Sequence, residues 1–268
     1  MPKEEKKSLK EYAGPDQVIS SQEMALLLSQ ETSSCINLKS RMPTLDRYCD
    51  GFRDGELIVI SGPTKNGKTL LAQSLTMAFV KQQEFPLWFT YEVPARQFLS
   101  QFPELPLFYL PQKLKAHVLT WVEERIRESF EKYRTRIVFL DHLHYLFDMA
   151  RVKSPSIEIG TVIRRLKTMA VDMGLCIFLL CHTTKGKDEN LSYDSIRDSS
   201  FVSQESDCVL MVQRCPHPPK PGEDSLIAEN SAKISIEFHR RTGVLEKLVD
   251  CHKQDGFLVE KVHGESSD

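Results

Sequence analysis

Four apolar runs, the last three ending in polar or charged residues, mark the first two-thirds of the chain: LIVI (57–60), PLWFTYE (86–92), RIVFLD (136–141) and LCIFLLCH (175–182). Short runs of this kind, without strict alternation, predict strands buried on both faces. Between them the apolar positions take helical spacing. Leu70, Leu71, Leu75 and Phe79 form one such set, Trp121, Val122, Ile126 and Phe130 a second within 115–133, and Ile159, Val162, Ile163, Leu166 and Met169 a third within 157–172. Alternation of this kind predicts an α/β chain with a mostly parallel central sheet and crossover helices. Ligands then belong at the carboxyl ends of the strands. Beyond residue 206 the pattern changes to strands alone: DCVLMVQR, AKISIEFHR, VLEKLVD and GFLVEKV, joined by a Pro-rich loop (216–224) and turns at Thr242-Gly243 and Asp255-Gly256. This predicts a C-terminal antiparallel β-meander that extends the sheet edge.

The N-terminal region reads differently. Residues 1–17 are charged and poor in apolar positions, as expected of a flexible arm. A linker region, 18–39, carries SSQEMALLLSQE, a short amphipathic helix with a serine cap and Glu23 early. A helix this short must dock, on its own core or on a neighbouring subunit. The stretch SRMPTLDRYCDGFRDGE reads as turn-rich. Residues 40–262 form the expected main domain, and 263–268 a tail.

At 268 residues and 41% hydrophobic content, the chain can bury one large core. A formal charge of −2 excludes a global basic field, so any nucleic-acid contact has to come from a local patch. Seven cysteines, an odd number without C-x-x-C spacing, indicate neither a disulfide framework nor a zinc site. No apolar run approaches the roughly 18 residues of a membrane span and there is no signal-peptide core. A soluble, non-secreted chain of the cytoplasm or nucleoid is expected.

The strongest local signal is GPTKNGKT (62–69), the G-x-x-x-x-G-K-[ST] pattern between a strand and a helix. Gly62, Pro63, Thr64, Lys65, Asn66, Gly67, Lys68, Thr69 and Leu70 form a candidate nucleotide site. Backbone amides and the helix N-terminus would face phosphate, Lys68 would reach its β and γ groups, and the Thr69 hydroxyl would hold Mg²⁺. Other strand ends add chemistry. Asp141 could hold the same cation or simply cap the next helix. Glu92 could activate the attacking water, or begin a helix over 93–102. His182 could sense the γ-phosphate or be structural.

These segments together resemble the motor domain of hexameric replicative DNA helicases, the DnaB-like and Twinkle-like group with a RecA-like P-loop core. The resemblance runs from about residue 40 to 261 through MPTLDRYCDGFRDGELIVISGPTKNGKT, FTYE, VFLDHLHYL and EIGTVIRRLKTMAVDMGLCIFLLCHTTK. It implies ATP and Mg²⁺ as cofactors, with Lys68 and Thr69 on phosphate and metal, Asp141 ordering Mg²⁺, Glu92 as base and His182 as sensor. It places Arg197, Asp198 and Ser200 near a phosphodiester backbone, although Ser200 stands where that group usually has glycine. Arg151, Lys153, Lys185 and Lys187 are the basic residues available to pore loops, where repetition around a ring would build a grip on single-stranded DNA. EFHRRTG resembles the segment that reaches a neighbour's γ-phosphate. Arg241 takes the arginine-finger position, with Arg240 as the competitor, and His239 stands where a lysine is usual.

The expectation is therefore an ATP-driven, ring-forming helicase, hexameric and of 5′-to-3′ polarity by resemblance. It would act on single-stranded and forked duplex DNA, with a primase or loader as partner and no membrane. A RecA- or KaiC-like ATPase or an ATP-gated adaptor, without unwinding, is the alternative.

Overall fold

A computed structural model describes Gly14 and residues 17–30, 35–148, 154–182 and 199–261. The chain divides into two compact units, Met1–Cys35 and Ile36–Asp268. The first contains helix α1 (Ser21–Gln30). Ser20 caps it: Glu23 N–H donates to Ser20 Oγ (3.2 Å) and Ser20 N–H donates to the Glu23 carboxylate (2.8 Å), a reciprocal capping box. Met24, Leu26, Leu27 and Leu28 are exposed.

The second unit is an α/β fold on an eight-stranded sheet. Its parallel strands are β3 (Leu57–Ser61), β4 (Leu87–Thr90), β5 (Ile137–Asp141), β6 (Cys176–Leu180) and β7 (Cys208–Arg214), and its antiparallel strands are β8 (Ser231–His239), β9 (Val244–Gln254) and β10 (Phe257–Glu260). The spatial order is β10-β9-β8-β7-β3-β6-β5-β4. The phosphate-loop strand β3 thus lies between β6 and β7, with β6 separating it from β5. The predicted meander does extend the sheet edge, joined to the parallel part through β7.

The apolar runs lack alternation because both sheet faces are covered. Ile58 and Ile60 point into a layer with Phe79, Trp88, Phe139 and Phe178, where α3 (Lys68–Val80) packs. Leu57 and Val59 point the other way, towards α5 (Leu119–Tyr133) and α6 (Pro155–Met173), with Val122, Ile126, Ile163 and Leu166. The Phe139 ring stacks between Trp88 (4.5 Å) and Phe178 (4.7 Å), and the Trp88 indole N–H donates to Thr76 Oγ1 at 3.0 Å. Among the described residues, no helix is long and apolar enough to cross a membrane.

One expectation needs correction. The stretch read as turn-rich holds helix α2 (Pro43–Cys49), preceded by β1 (Asn37–Leu38) and followed by β2 (Phe52–Arg53), which pair antiparallel. Pro43 marked a turn in the sequence, but at the first helical position its fixed φ favours the helix and its missing N–H costs nothing. Leu45 and Cys49, four apart, are both buried and face the core. The helix ends at Asp50 in the left-handed region (φ 52°) before Gly51. Short helices α4 (Ala95–Leu99), α7 (Ser199–Glu205) and α8 (Ser225–Glu229) complete the unit. Near them, Leu258 N–H donates to Ser74 Oγ of α3 at 2.8 Å, so β10 closes over the helix that follows the phosphate loop.

Candidate nucleotide site

The carboxyl ends of β3, β4, β5 and β6 converge on one edge of the sheet, as the parallel register requires. The loop after β3 passes Gly62 at φ 144°, where an added Cβ would collide with the Val212 carbonyl oxygen of β7. Only glycine lets the loop lie this close to the neighbouring strand. Lys65 (φ 64°) and Gly67 (φ 99°) complete the turn, which delivers the first amides of α3 toward the cleft. Asn66 anchors the loop from outside: its Oδ1 accepts from Arg214 N–H at 3.0 Å.

Lys68 is 5% exposed, and its ammonium donates to Gly62 O and Pro63 O, both at 2.9 Å. Burial lowers its pKa, while the negative charges of Glu92 and Asp141 oppose that shift. Thr69 Oγ1 donates to Asp141 Oδ2 at 3.0 Å, joining residues 72 apart in sequence. Asp141 is 2% exposed and its Oδ1 is buried without a hydrogen-bond partner. Burial, reinforced by repulsion from Glu92, raises its pKa to about 7, against the lowering influence of Thr69 and Lys68. An orphaned carboxylate oxygen beside a hydroxyl, both hard donors, suits a divalent cation such as Mg²⁺.

Glu92 follows β4 and remains partly exposed, with its carboxylate 3.9 Å from His182 Nε2 beyond β6. Burial lowers the His182 pKa to about 4, with Lys68 and His144 adding to the shift, so the ring is neutral near pH 7. The His142 ring packs at a tilt of 39° against His182, 3.9 Å between centroids, and its pKa is itself lowered to about 2, first by burial. Its Nδ1 receives the His144 N–H at 3.4 Å. His182 therefore sits on a neutral ring platform beside the Glu92 carboxylate.

Lys68, Glu92 and His182 line a cleft of about 560 Å³ together with Thr64, Lys65, Gly67, Thr69 and Leu70, and Asp141 lies behind it through its bond to Thr69. Three further lining residues carried no sequence signal. Gln73 of α3 donates to Gln101 Oε1 at 2.5 Å, and Lys253 arrives from the end of β9, just before the turn into β10. A larger cleft, about 1000 Å³, lies by the 215–223 loop. Its Glu223 already pairs with His217 (2.9 Å) and Lys261 (3.0 Å), and it has no phosphate loop.

The arginine pair lies at the opposite end of the sheet, because β8 runs antiparallel to β7. Arg241 is held by its own chain through four acceptors: Glu56 Oε1 (2.8 Å), Asp50 Oδ2 (3.2 Å), Cys49 O (3.0 Å) and Gly51 O (2.8 Å). A guanidinium so occupied serves the fold, which argues against the finger role expected of Arg241. Arg240 is exposed, with its guanidinium donating to Gln204 O at 2.6 Å. Arg151, Lys153, Lys185, Lys187, Arg197 and Asp198 lie outside the described residues. Ser200 falls in α7.

A P-loop feeding a helix, with acidic and histidine side chains at three neighbouring strand ends of a mostly parallel sheet, defines a RecA-like nucleotide-binding domain. The model of the DnaB-like helicase C-terminal domain matches residues 101–254, more than half the chain. The chain belongs to that family. The matched span contains Asp141, His182 and the arginine pair, whereas the phosphate loop and Glu92 precede it. The replicative DNA helicase DnaB of Helicobacter pylori strain J99 is 22% identical over 255 residues, covering 81% of this chain and 52% of that protein. A probable replicative DNA helicase of Trieres chinensis is 22% identical over 214 residues, covering 66% and 47%. The chain thus spans about half the length of the curated relatives it matches. Among solved structures, one ATPase domain superposes with a TM-score of 0.74 at 16% identity, covering 91% of this chain and all of that one. A DnaB-like replicative helicase studied with primase gives 0.72 at 17% identity, covering 90% and 68%.

Proposed function

We propose that the chain is the motor of an ATP-driven, ring-forming replicative DNA helicase that translocates on single-stranded DNA and unwinds forked duplex. The observation that carries this reading is the convergence of Lys68, Thr69, Asp141, Glu92 and His182 on one cleft in a chain of the DnaB-like family. ATP binds with its phosphates over the loop 62–69, where Lys68 turns from the Gly62 and Pro63 carbonyls to the β and γ groups. Thr69 and Asp141 would hold Mg²⁺, which would supply charge neutralisation at the phosphate oxygens. Glu92 orients the attacking water and accepts its proton. Neutral His182, beside Glu92, donates to the γ-phosphate and couples its loss to the following segment. There Lys185, Lys187, Arg197, Asp198 and Ser200, with Arg151 and Lys153, are proposed to face DNA. Arg240 is the residue proposed to reach a neighbour's nucleotide, which requires a second copy and accords with a hexameric ring. A primase or a loader is the further proposed partner.

Strand displacement on a forked duplex with ATP and Mg²⁺ tests the proposal. Hydrolysis without displacement by the assembled protein would instead mean a RecA- or KaiC-like ATPase or an adaptor. Glu92→Gln is expected to keep nucleotide and DNA binding while steady-state hydrolysis falls by roughly 10² or more, the usual worth of a positioned base. Unchanged turnover in that variant would move the base elsewhere.

Asp141 makes a pH prediction. Its folded pKa is raised from 3.8 to about 7, so the stability it contributes is full below pH 4 and is lost as pH rises through 7. Every tenfold change in proton affinity between the folded and unfolded chain corresponds to about 1.4 kcal/mol. A cation on the ionised carboxylate reverses the loss, so Mg²⁺ should raise the melting temperature more at pH 8 than at pH 5. Asp141→Asn should remove that difference. A Mg²⁺ effect independent of pH in the unaltered protein would show that the cation binds elsewhere.

A further inference from the structure

A second cluster lies inside the domain, remote from the nucleotide cleft. Cys49 ends α2, Cys208 begins β7 and His239 ends β8. The sheet register makes Cys208 and His239 direct cross-strand partners, and the Pro43-started helix brings Cys49 beside them. Two sulfurs and an imidazole nitrogen lie within 4.8 Å of one another, with all three residues buried. His239 is 1% exposed. Its Nδ1 accepts from Thr242 N–H at 3.3 Å, while Nε2 is enclosed without a hydrogen-bond partner and faces Glu56 Oε1 across 3.8 Å. Burying an imidazole nitrogen with nothing to bond is costly.

We propose that Cys49, Cys208 and His239 form a binding site for a thiophilic divalent cation of the zinc type, with the Glu56 carboxylate as the available fourth ligand. Two thiolates and an imidazole select zinc over magnesium, whose preference is for oxygen. Charge favours the same assignment. Two thiolates neutralise a dication, and Glu56 keeps its own counterion in Arg241 at 2.8 Å. Burial holds the Cys208 thiol well above its ordinary range, and because thiolates are the ligands, cation binding displaces the thiol protons to solvent. Coordination through Nε2 places the ring proton on Nδ1 and gives up the long Thr242 contact.

The cation would tie three elements together at the base of the turn that carries Arg240 and Arg241. Cys49 also offers its carbonyl to Arg241 (3.0 Å), so a clamp on Cys49 bears directly on the arginine cage. The seven cysteines gave no spacing signal because these ligands come from three separate elements.

The full chain, purified with reduced thiols, provides the test. It should carry one zinc per chain, and cobalt replacement should give sulfur-to-cobalt charge-transfer absorption together with the visible bands of tetrahedral coordination. A magnesium-type site at Thr69 and Asp141 produces no thiolate bands. Cys49→Ala and Cys208→Ala should each abolish the charge-transfer absorption. Because either variant could unfold, the unaltered protein is also stripped by chelator: its melting temperature should fall and recover with zinc but not with magnesium. Absence of thiolate–cobalt absorption in the folded, reduced protein would overturn the proposal. So would bands that survive in both cysteine variants, or a Cys49–Cys208 disulfide in protein never exposed to oxidant.

Discussion

Lys68→Ala is expected to bring nucleotide hydrolysis to background and to weaken nucleotide binding strongly while the domain stays folded. Among the described residues the Lys68 ammonium donates to two loop carbonyls, Gly62 O and Pro63 O, and these can turn to water when it is removed. The phosphates have no equivalent remedy. Among the described residues Lys68 is the buried ammonium facing Glu92 and Asp141, whereas Lys65 and Lys253, which also line the cleft, are exposed and their charges are screened by solvent. A cation taken from a transferring phosphoryl group costs on the order of 10³ in rate or more. Phosphate release and fluorescent-nucleotide titration measure the two effects separately. Hydrolysis near the unaltered level would remove the phosphate loop from the mechanism, whatever the fold.

Much of this site was legible in the sequence, for a physical reason. A parallel strand buried on both faces must be apolar throughout, so the residue where polarity returns, such as Asp141 after IVFL, marks the strand's carboxyl end. In a parallel sheet those ends share one edge, so Asp141, Glu92 and His182 could be assigned to one cleft without knowing the strand order. Glycine and lysine in the 62–69 loop added the phosphate chemistry. What stayed hidden depends on contacts between elements that leave no periodicity. Gln73 of α3 meets Gln101 just beyond α4, and Lys253 enters the cleft beside β10, which docks on α3 through Ser74 and Leu258. Helix α2 was hidden by Pro43, which signals a turn unless the following residues bury a helical face, as Leu45 and Cys49 do. The arginine pair is the sharpest case. RR in a hairpin turn looks symmetric in sequence, and only the fold shows that Glu56, Asp50 and two carbonyls engage one of them.

That asymmetry yields the last prediction. Arg241→Ala should chiefly destabilise the domain. Glu56, with its side chain 8% exposed, would lose the Arg241 Nε contact, and the Cys49 and Gly51 carbonyls would lose their donor. Breaking a buried pair costs about 3–5 kcal/mol in general; with Arg241 itself 27% exposed, solvent screening argues for the low end, about 3 kcal/mol. For a domain of this size that is a fall of roughly 6–12 °C in melting temperature. Arg240→Ala removes an exposed side chain bonded to Gln204 O, so its melting temperature should hold. If Arg240 reaches a neighbour's γ-phosphate, hydrolysis by the assembled protein should nevertheless drop about 10³-fold, the low end of an arginine finger's contribution. Its own cleft, at the other end of the sheet, should bind nucleotide normally. Mixing Arg240→Ala with Lys68→Ala should then restore part of the activity, since some interfaces would pair an intact phosphate loop with an intact arginine. The opposite pattern, a stable but inactive Arg241→Ala and an active Arg240→Ala, would mean that Arg241 leaves its intrachain acceptors on assembly and is itself the finger. Normal hydrolysis by both variants, measured below their melting temperatures, would take the trans-acting arginine out of this turn altogether.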